Sequence, residues 1–334
     1  MPFWIWDSSG QVNLWLQSVL GDPRWLLPVT FAGDELFYLI LIPFVFYTID
    51  RRAGVTLLVA QLFTHSINVL LKLAFHEPRP FWVTLMNVFA FEDTFGLPSG
   101  HAQNAVVVWG YLAFFFIKQK RLHAFPVIAL TALWVFLIGV SRIALGVHFI
   151  QDTILGWAIG SALLYAVIHY ETNVRVFFAN LTHGGRFFVT AMTAVMLLEM
   201  GALLATTLHL PVLSEWNETA RLSIASTPHS GVRFKDLHPL KLTSFLNVAG
   251  CLFGLYASLS LKDPGYTMPV LFRNRLFVLL PGLALIFVVY LSLSAIFPRD
   301  GIEGGFLRIL RYGLVVFTGL YVYPLILARV RRRA

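Results

Sequence analysis

Charge is scarce in this chain. Of its 334 residues only 13% are Asp, Glu, Lys or Arg, about half the roughly 25% of an ordinary soluble domain. Too few remain to build a solvated surface. With 57% hydrophobic residues and a mean hydropathy of +0.73, the composition excludes a soluble globule, a disordered chain and a collagen-like fibre. Cysteine is nearly missing: Cys251 stands alone in an apolar run, which excludes an intrachain disulfide scaffold. Short-period repeats, low-complexity linkers and the carboxylate clusters that hold magnesium are also missing. The first 30 residues have neither a basic n-region nor a long apolar h-region, so they are not expected to be a signal peptide. A net charge of +8 with pI near 9.7 would suggest nucleic acid in a soluble protein. Here no nucleic-acid partner is expected, and the question is where the basic residues fall relative to the apolar segments.

What the chain has is apolar length. A spanning helix needs about 20 mostly apolar residues. Nine segments qualify: 31–50, 54–75, 101–117, 124–141, 147–169, 187–208, 243–261, 274–297 and 305–328. The expected fold class is therefore all-α, a polytopic transmembrane bundle of about nine spans, in which Asp34 and Glu35 shorten the first. One set of connections collects Arg51, Arg52, Lys118, Lys120, Arg121, Arg175, Arg186, Lys262, Arg273, Arg275, Arg329, Arg331, Arg332 and Arg333, fourteen of the 25 basic residues. That bias predicts a cytoplasmic C-terminus and an N-terminus outside. Phe3, Trp4, Trp6, Leu14, Trp15, Leu16 and Leu20 suit an amphipathic helix in the outer interface. The longest connection, about 209–242, carries Pro211, Trp216, Pro228, His229, His238 and Pro239, and loops of that length are often functional.

Three blocks, each beside an outer membrane boundary, carry chemistry. In the first, Lys72 and Arg79-Pro80 are separated by six residues; a mobile point charge and a rigid guanidinium fork together suit a tetrahedral oxyanion. Interfacial anchoring is the competing reading. In the second, Pro98-Ser99-Gly100-His101 opens an apolar run. Backbone N–H groups, the positive end of a helix and a hydroxyl face one point there. His101 sets a titratable imidazole beside that point, as a general acid requires. The alternative is a serine N-cap with an incidental histidine. In the third, Ser141-Arg142 is followed by His148 and Asp152. The four-residue step sets both side chains on one helical face, so Asp152 can hold the proton of one imidazole nitrogen and leave the other nucleophilic. Arg142 adds a second guanidinium.

Eleven residue types at fixed spacing would each match by chance at roughly one in twenty. Together the blocks resemble the type 2 phosphatidic acid phosphatase superfamily, whose pattern is Lys-x6-Arg-Pro, Pro-Ser-Gly-His and Ser-Arg-x5-His-x3-Asp. All eleven positions match in order. The resemblance implies that Lys72, Arg79, Ser99, Gly100 and Arg142 hold the phosphate. It further implies that His148 attacks phosphorus, Asp152 orients it and His101 protonates the leaving oxygen, with no metal and no cofactor. A longer resemblance, to the glucose 6-phosphatase catalytic subunit, covers the outside N-terminus, the nine spans, Phe81-Trp82 and Asn247 to Leu255. The organisation expected is an interfacial segment 1–30, a catalytic helical core 31–170 and a four-helix extension 171–334.

The expected activity is hydrolysis of a lipid phosphate or diphosphate, such as a polyprenyl diphosphate, phosphatidic acid or phosphatidylglycerol phosphate. Its site would face the non-cytoplasmic side of a bacterial inner membrane, or of the endoplasmic reticulum in a eukaryote. Three alternatives stand beside it: a sugar-phosphate phosphatase, a phosphotransferase, and a channel or transporter built on the C-terminal helices. The vanadate-dependent haloperoxidases, similar at this site, are soluble. Glu92 and Asp93 read as loop solvation or headgroup contacts. Glu199, in mid-span, is a candidate site residue or a hydrogen-bonded partner of a neighbouring helix. Arg308 and Arg311 could reach a headgroup or snorkel. His65 and Asn68 suit interhelical hydrogen bonds, and Asn217-Glu-Thr219 is a glycosylation sequon.

Overall fold

A computed structural model describes residues 3–229, 231–266, 272–298 and 301–333; for 3–8, 272–273 and 331–333 it describes the backbone alone. The rings of Phe3, Trp4 and Trp6 therefore lie outside the described residues. Every regular element among the described residues is helical. The order is α1 (Phe3–Leu20), a 3₁₀ turn (Pro23–Leu26), α2 (Leu27–Phe31), α3 (Glu35–Phe44), α4 (Arg51–Phe75), α5 (Pro80–Val83), α6 (Gly100–Lys118) and α7 (Ala124–Ala144). Then follow α8 (Ile150–Asn180), α9 (His183–Thr207), α10 (Leu213–Ser226), α11 (Thr243–Ser260), α12 (Phe272–Ile296), α13 (Gly301–Phe317) and α14 (Tyr323–Arg333).

Among the described residues seven helices are long and apolar enough to cross a membrane, eight if the bent pair Pro23–Phe31 and Glu35–Ile49 counts as one span. The remaining sequence candidate, 101–117, is α6. It is a helix of full length, but His101, Gln103 and Asn104 make its first turns polar. Helix α10 is also new, lying inside the stretch 209–242 that reads as a loop.

The chain divides into two compact units, one of residues 1–38, 63–169 and 203–241, the other of 39–62, 170–202 and 242–334. In the first, α8 meets the start of α6 at backbone distance. A methyl group on Gly156 would stand 2.7 Å from Ser99 O, and one on Gly160 2.7 Å from Gln103 O. Two glycines one turn apart are what permit that approach. Helix α7 ends under α1. Asn13 Nδ2 donates to Ile143 O at 2.8 Å and His148 O at 2.9 Å, and Gln17 Nε2 donates to Ala144 O at 3.0 Å and Asn87 O at 2.8 Å. The last carbonyls of a helix have no partner within it, so two side-chain amides of α1 satisfy them and fix the loop that follows. Helix α10 packs on α5, Trp216 lying against Trp82 with ring centroids 5.6 Å apart.

In the second unit Pro43 withholds a donor from α3, and the helix closes in a π-helical turn over Val45–Ile49. Phe46 and Tyr47 of that turn are buried with Tyr266, Leu279 and Tyr323. Gly250 and Gly254 of α11 face the backbone of Ile309 and Gly313 on α13.

Candidate active site

The three blocks meet in the first unit. Ser99 N-caps α6 in an extended conformation, its Oγ accepting from Ala102 N at 3.5 Å. Its own N–H is already used, donating to Asp152 O at 2.9 Å; among the described residues the hydroxyl hydrogen of Ser99 and the N–H groups of Gly100 and His101 have no partner. Asn68, on α4, steadies this corner by donating to Pro98 O at 3.2 Å and Gln103 Oε1 at 3.0 Å. That is the interhelical role expected of it. His65 differs, pairing with the carboxylate of Glu35 at 3.6 Å.

Arg79 is wholly buried, and a buried guanidinium must spend its donors. Its Nε reaches Thr94 O at 2.5 Å, Nη1 reaches Val147 O at 2.8 Å, and Nη2 reaches Phe95 O at 3.2 Å and Thr94 Oγ1 at 3.3 Å. Lys72 Nζ donates to the same Thr94 hydroxyl at 3.3 Å, so both cations of the first block converge on one residue.

His148 lies in the loop between α7 and α8, outside either helix, and is 1% exposed. Its Nδ1 is 3.1 Å from Asp152 Oδ2, an oxygen that also accepts from Phe149 N at 2.9 Å. A carboxylate accepts, so Nδ1 carries the proton and Nε2 keeps its lone pair. Nε2 faces Arg79 Nη1 at 3.1 Å. Burial, followed by the charges of Arg79 and Arg142, holds the imidazole well below its usual pKa. A neutral ring with a lone pair aimed at a cationic donor can attack an electron-poor centre bound there.

Glu92 is the first correction. It is not loop solvation: Oε1 lies 2.5 Å from Arg142 Nη2, and Oε2 lies 3.5 Å from Arg79 Nη2. Burial pushes this carboxyl up, but the Arg79 and Arg142 guanidiniums outweigh it and hold it well below the usual carboxylate range. Arg142 Nη1 donates to Thr30 Oγ1 at 2.7 Å, while its Nε, also buried, has no partner among the described residues. Asp93 is the second: it pairs with Lys241, at 2.5 and 2.7 Å, and its carbonyl accepts from His238 N at 3.2 Å. The two neighbours do point apart. His101 Nε2 lies 2.9 Å from Asp34 Oδ1, a carboxylate that reads in the sequence only as an interruption of an apolar run.

Other candidates fall elsewhere. Glu199 is exposed on α9 and has no hydrogen bond or ion pair among the described residues. Arg311 is buried in the second unit, donating to Ser294 Oγ at 3.1 Å over the rings of Tyr290 and Tyr312, and Arg308 reaches Asn247 Oδ1 at 3.5 Å. Asn217 is engaged at both ends, donating to Leu213 O at 3.0 Å and accepting from Leu237 N at 2.9 Å. Among the described residues no three His, Cys, Asp or Glu side chains gather as a metal site would require.

Comparison with known proteins gives a consistent picture. Residues 53–175 match the PAP2 superfamily, and residues 246–333 match the transmembrane extension of PAP2 superfamily phosphatases. The chain is 28% identical over 170 residues to phosphatidylglycerophosphatase B of Bacillus subtilis, covering 49% of this chain and 79% of that protein. It is 30% identical over 140 residues to lipid phosphate phosphatase delta of Arabidopsis thaliana, and 28% over 145 to sphingosine-1-phosphate phosphatase 1 of Mus musculus. It spans only 33% of the length of each of those two, the matches covering 38% and 42% of this chain. A crystal structure of a transmembrane PAP2-type phosphatidylglycerolphosphate phosphatase from Bacillus subtilis aligns with a TM-score of 0.45 at 24% identity, over 52% of this chain and 89% of that one.

Proposed function

This chain belongs to the PAP2 superfamily, and on that premise we propose that it hydrolyses the phosphate or diphosphate of a membrane lipid through a phosphohistidine on His148. It is a phosphoric monoester hydrolase and an integral membrane protein, and its relatives act on lipid phosphates by name. The observation that carries the mechanism is the buried His148–Asp152 contact at 3.1 Å with Nε2 turned to Arg79. In the first step Nε2 attacks phosphorus as the bond to the leaving oxygen breaks, and His101 gives that oxygen a proton. Water then attacks phosphorus, passes a proton back to His101, and the electron pair of the P–N bond returns to Nε2. Lys72, Arg79, Arg142, the Ser99 hydroxyl and the Gly100 N–H take up the phosphate charge, which is greatest in the transition state. The substrate phosphate takes the guanidiniums over from Glu92.

The basic residues of the alternate connections favour a non-cytoplasmic site with the N-terminus outside, across about nine spans. The organisation we propose is an interfacial segment 1–30, a catalytic core 31–170 and an extension 171–334. Sited at helix ends, the phosphate cradle lies at headgroup depth, where a lipid delivers its phosphate without leaving the bilayer. Competition in mixed micelles tests the substrate class. Phosphatidic acid or a polyprenyl diphosphate should exceed glucose 6-phosphate in kcat/KM at least about tenfold, some 1.4 kcal/mol of transition-state binding. The reverse order would assign a sugar phosphate to the same residues, and release of a phosphorylated alcohol in place of inorganic phosphate would mark a phosphotransferase.

A further inference from the structure

The His101 side chain is held from outside the three blocks, by the turn between α2 and α3. Asp34 Oδ1 is 2.9 Å from its Nε2. At the neighbouring position a methyl group on Gly33 would stand 2.7 Å from His101 Cδ2 and 3.2 Å from Cγ, so backbone without a side chain lies against the imidazole edge. The turn is itself fixed by Gly33 N donating to Thr30 O at 2.9 Å, Asp34 N to Phe31 O at 3.0 Å and Tyr38 N to Asp34 O at 3.2 Å. Thr30, four residues earlier, accepts from Arg142. One short segment thus touches two groups of the proposed machinery, and Asp34 has no other side-chain partner among the described residues.

We propose that Asp34 is a positioning residue for the leaving-group acid: its carboxylate accepts from His101 Nε2–H, fixes the ring, and commits Nδ1 to the proton transfer. This rests on His101 acting as the acid. In phosphoryl transfer to His148 the Nδ1 proton of the imidazolium passes to the leaving oxygen, which keeps the electron pair of the broken P–O bond. The ring is left neutral with Nε2–H still on Asp34. In hydrolysis of the phosphohistidine the water proton returns to Nδ1. A carboxylate on the far nitrogen stabilises the imidazolium and holds it in one orientation through both steps.

A leaving group that needs no proton separates this role from a merely structural one. The full-length enzyme in detergent is assayed with phosphatidic acid, whose leaving group is a poor alkoxide, and with p-nitrophenyl phosphate. Asp34→Asn should lose about tenfold or more in kcat/KM on the first and less than about threefold on the second, with Asp34→Glu recovering part of the loss. In a His101→Ala background Asp34→Asn should cost less than about twofold on either substrate. If Asp34→Asn does not fold, Gly33→Ala reads the same contact, because its methyl displaces the ring; the same selectivity is expected. Equal losses on both substrates, or losses that multiply with those of His101→Ala, overturn the role of Asp34. When His101→Ala alone is unselective, the acid assignment itself fails, and the two failures are told apart by that variant.

Discussion

Two histidine–carboxylate contacts serve one proposed reaction, and they are built differently. His148 and Asp152 are four residues apart at the start of α8, with side chains 1% and 2% exposed. His101 and Asp34 are 67 residues apart on separate elements, with side chains 13% and 44% exposed. The first is sealed against Arg79, so its carboxylate fixes a tautomer that water cannot compete for. The second stands half in solvent, where a contact between charged groups is screened and individually weak. A nucleophile must keep one lone pair in one direction throughout turnover, whereas an acid must exchange its proton with solvent or product on every cycle. The difference in burial follows that division of labour.

Substitution of the nucleophile should cost most. His148→Ala should lower kcat on phosphatidic acid by about 10⁴-fold or more while the protein stays folded in detergent, since the variant removes the nucleophile of the proposed covalent intermediate. Activity above about 1% of the parent would sink the assignment. Asp152→Asn comes next. An amide in place of the carboxylate can donate to Nδ1 and turn the proton to Nε2, the wrong tautomer, at an expected cost of about 10³-fold in kcat. Quenching the parent during turnover in alkaline SDS, in which the acid-labile P–N bond of a phosphohistidine survives, should trap label from ³²P-substrate on protein, and neither variant should trap it.

The open pair breaks more gently and selectively. His101→Ala should lose about 10²-fold on an alkyl phosphate, within the usual range of general acid catalysis. On p-nitrophenyl phosphate the loss should be under about tenfold, because p-nitrophenolate leaves without a proton. Matching losses on the two substrates would make the histidine structural and dissolve the contrast between the pairs.

The same contrast decides what could be read from the sequence. The His148–Asp152 step is local: His148 stands in the loop two residues before α8 rather than on the helical face the spacing suggests, yet Asp152, in the first turn, still meets it. The blocks around Lys72, Ser99 and Arg142 were legible for the same reason, each being short and self-contained. Asp34 gave one faint signal, a charge interrupting an apolar run, and nothing in its neighbourhood names a partner on α6. Thr30 and Asn13 gave none, because a threonine or asparagine in an apolar context is usually satisfied within its own helix; Thr94 gave none because it stands in a loop, where only the fold supplies its partners. Glu92 was misread for a related reason: its partners lie 13 residues before it and 50 after, and an acidic pair in a loop looks solvated until the fold brings basic partners to it. The helices were legible from apolar length, but α6, read as a span, is not among the helices apolar enough to be one, because His101, Gln103 and Asn104 make its first turns polar.

Replacing Glu92 should do least. The residue pairs with Arg79 and Arg142, so in the proposed reaction an incoming phosphate must displace a carboxylate already there. Glu92→Gln removes the competing charge but keeps the shape. Inhibition by vanadate, which takes the place of the transferring phosphate, should tighten roughly fivefold in Ki, with little change in kcat. The variant should also melt at a lower temperature near pH 7, because two buried guanidiniums lose their counter-charge. The sign of the pH dependence follows from the carboxyl being held below its ordinary value of 4.5. A group depressed on folding stabilises fully above its unfolded pKa and loses that contribution as pH falls towards its folded one. The gap in Tm between parent and variant should therefore be constant above about pH 5 and narrow below about 4.5. Unchanged vanadate inhibition, or a gap in Tm that widens in acid, would show that Glu92 does not occupy the phosphate cradle in solution.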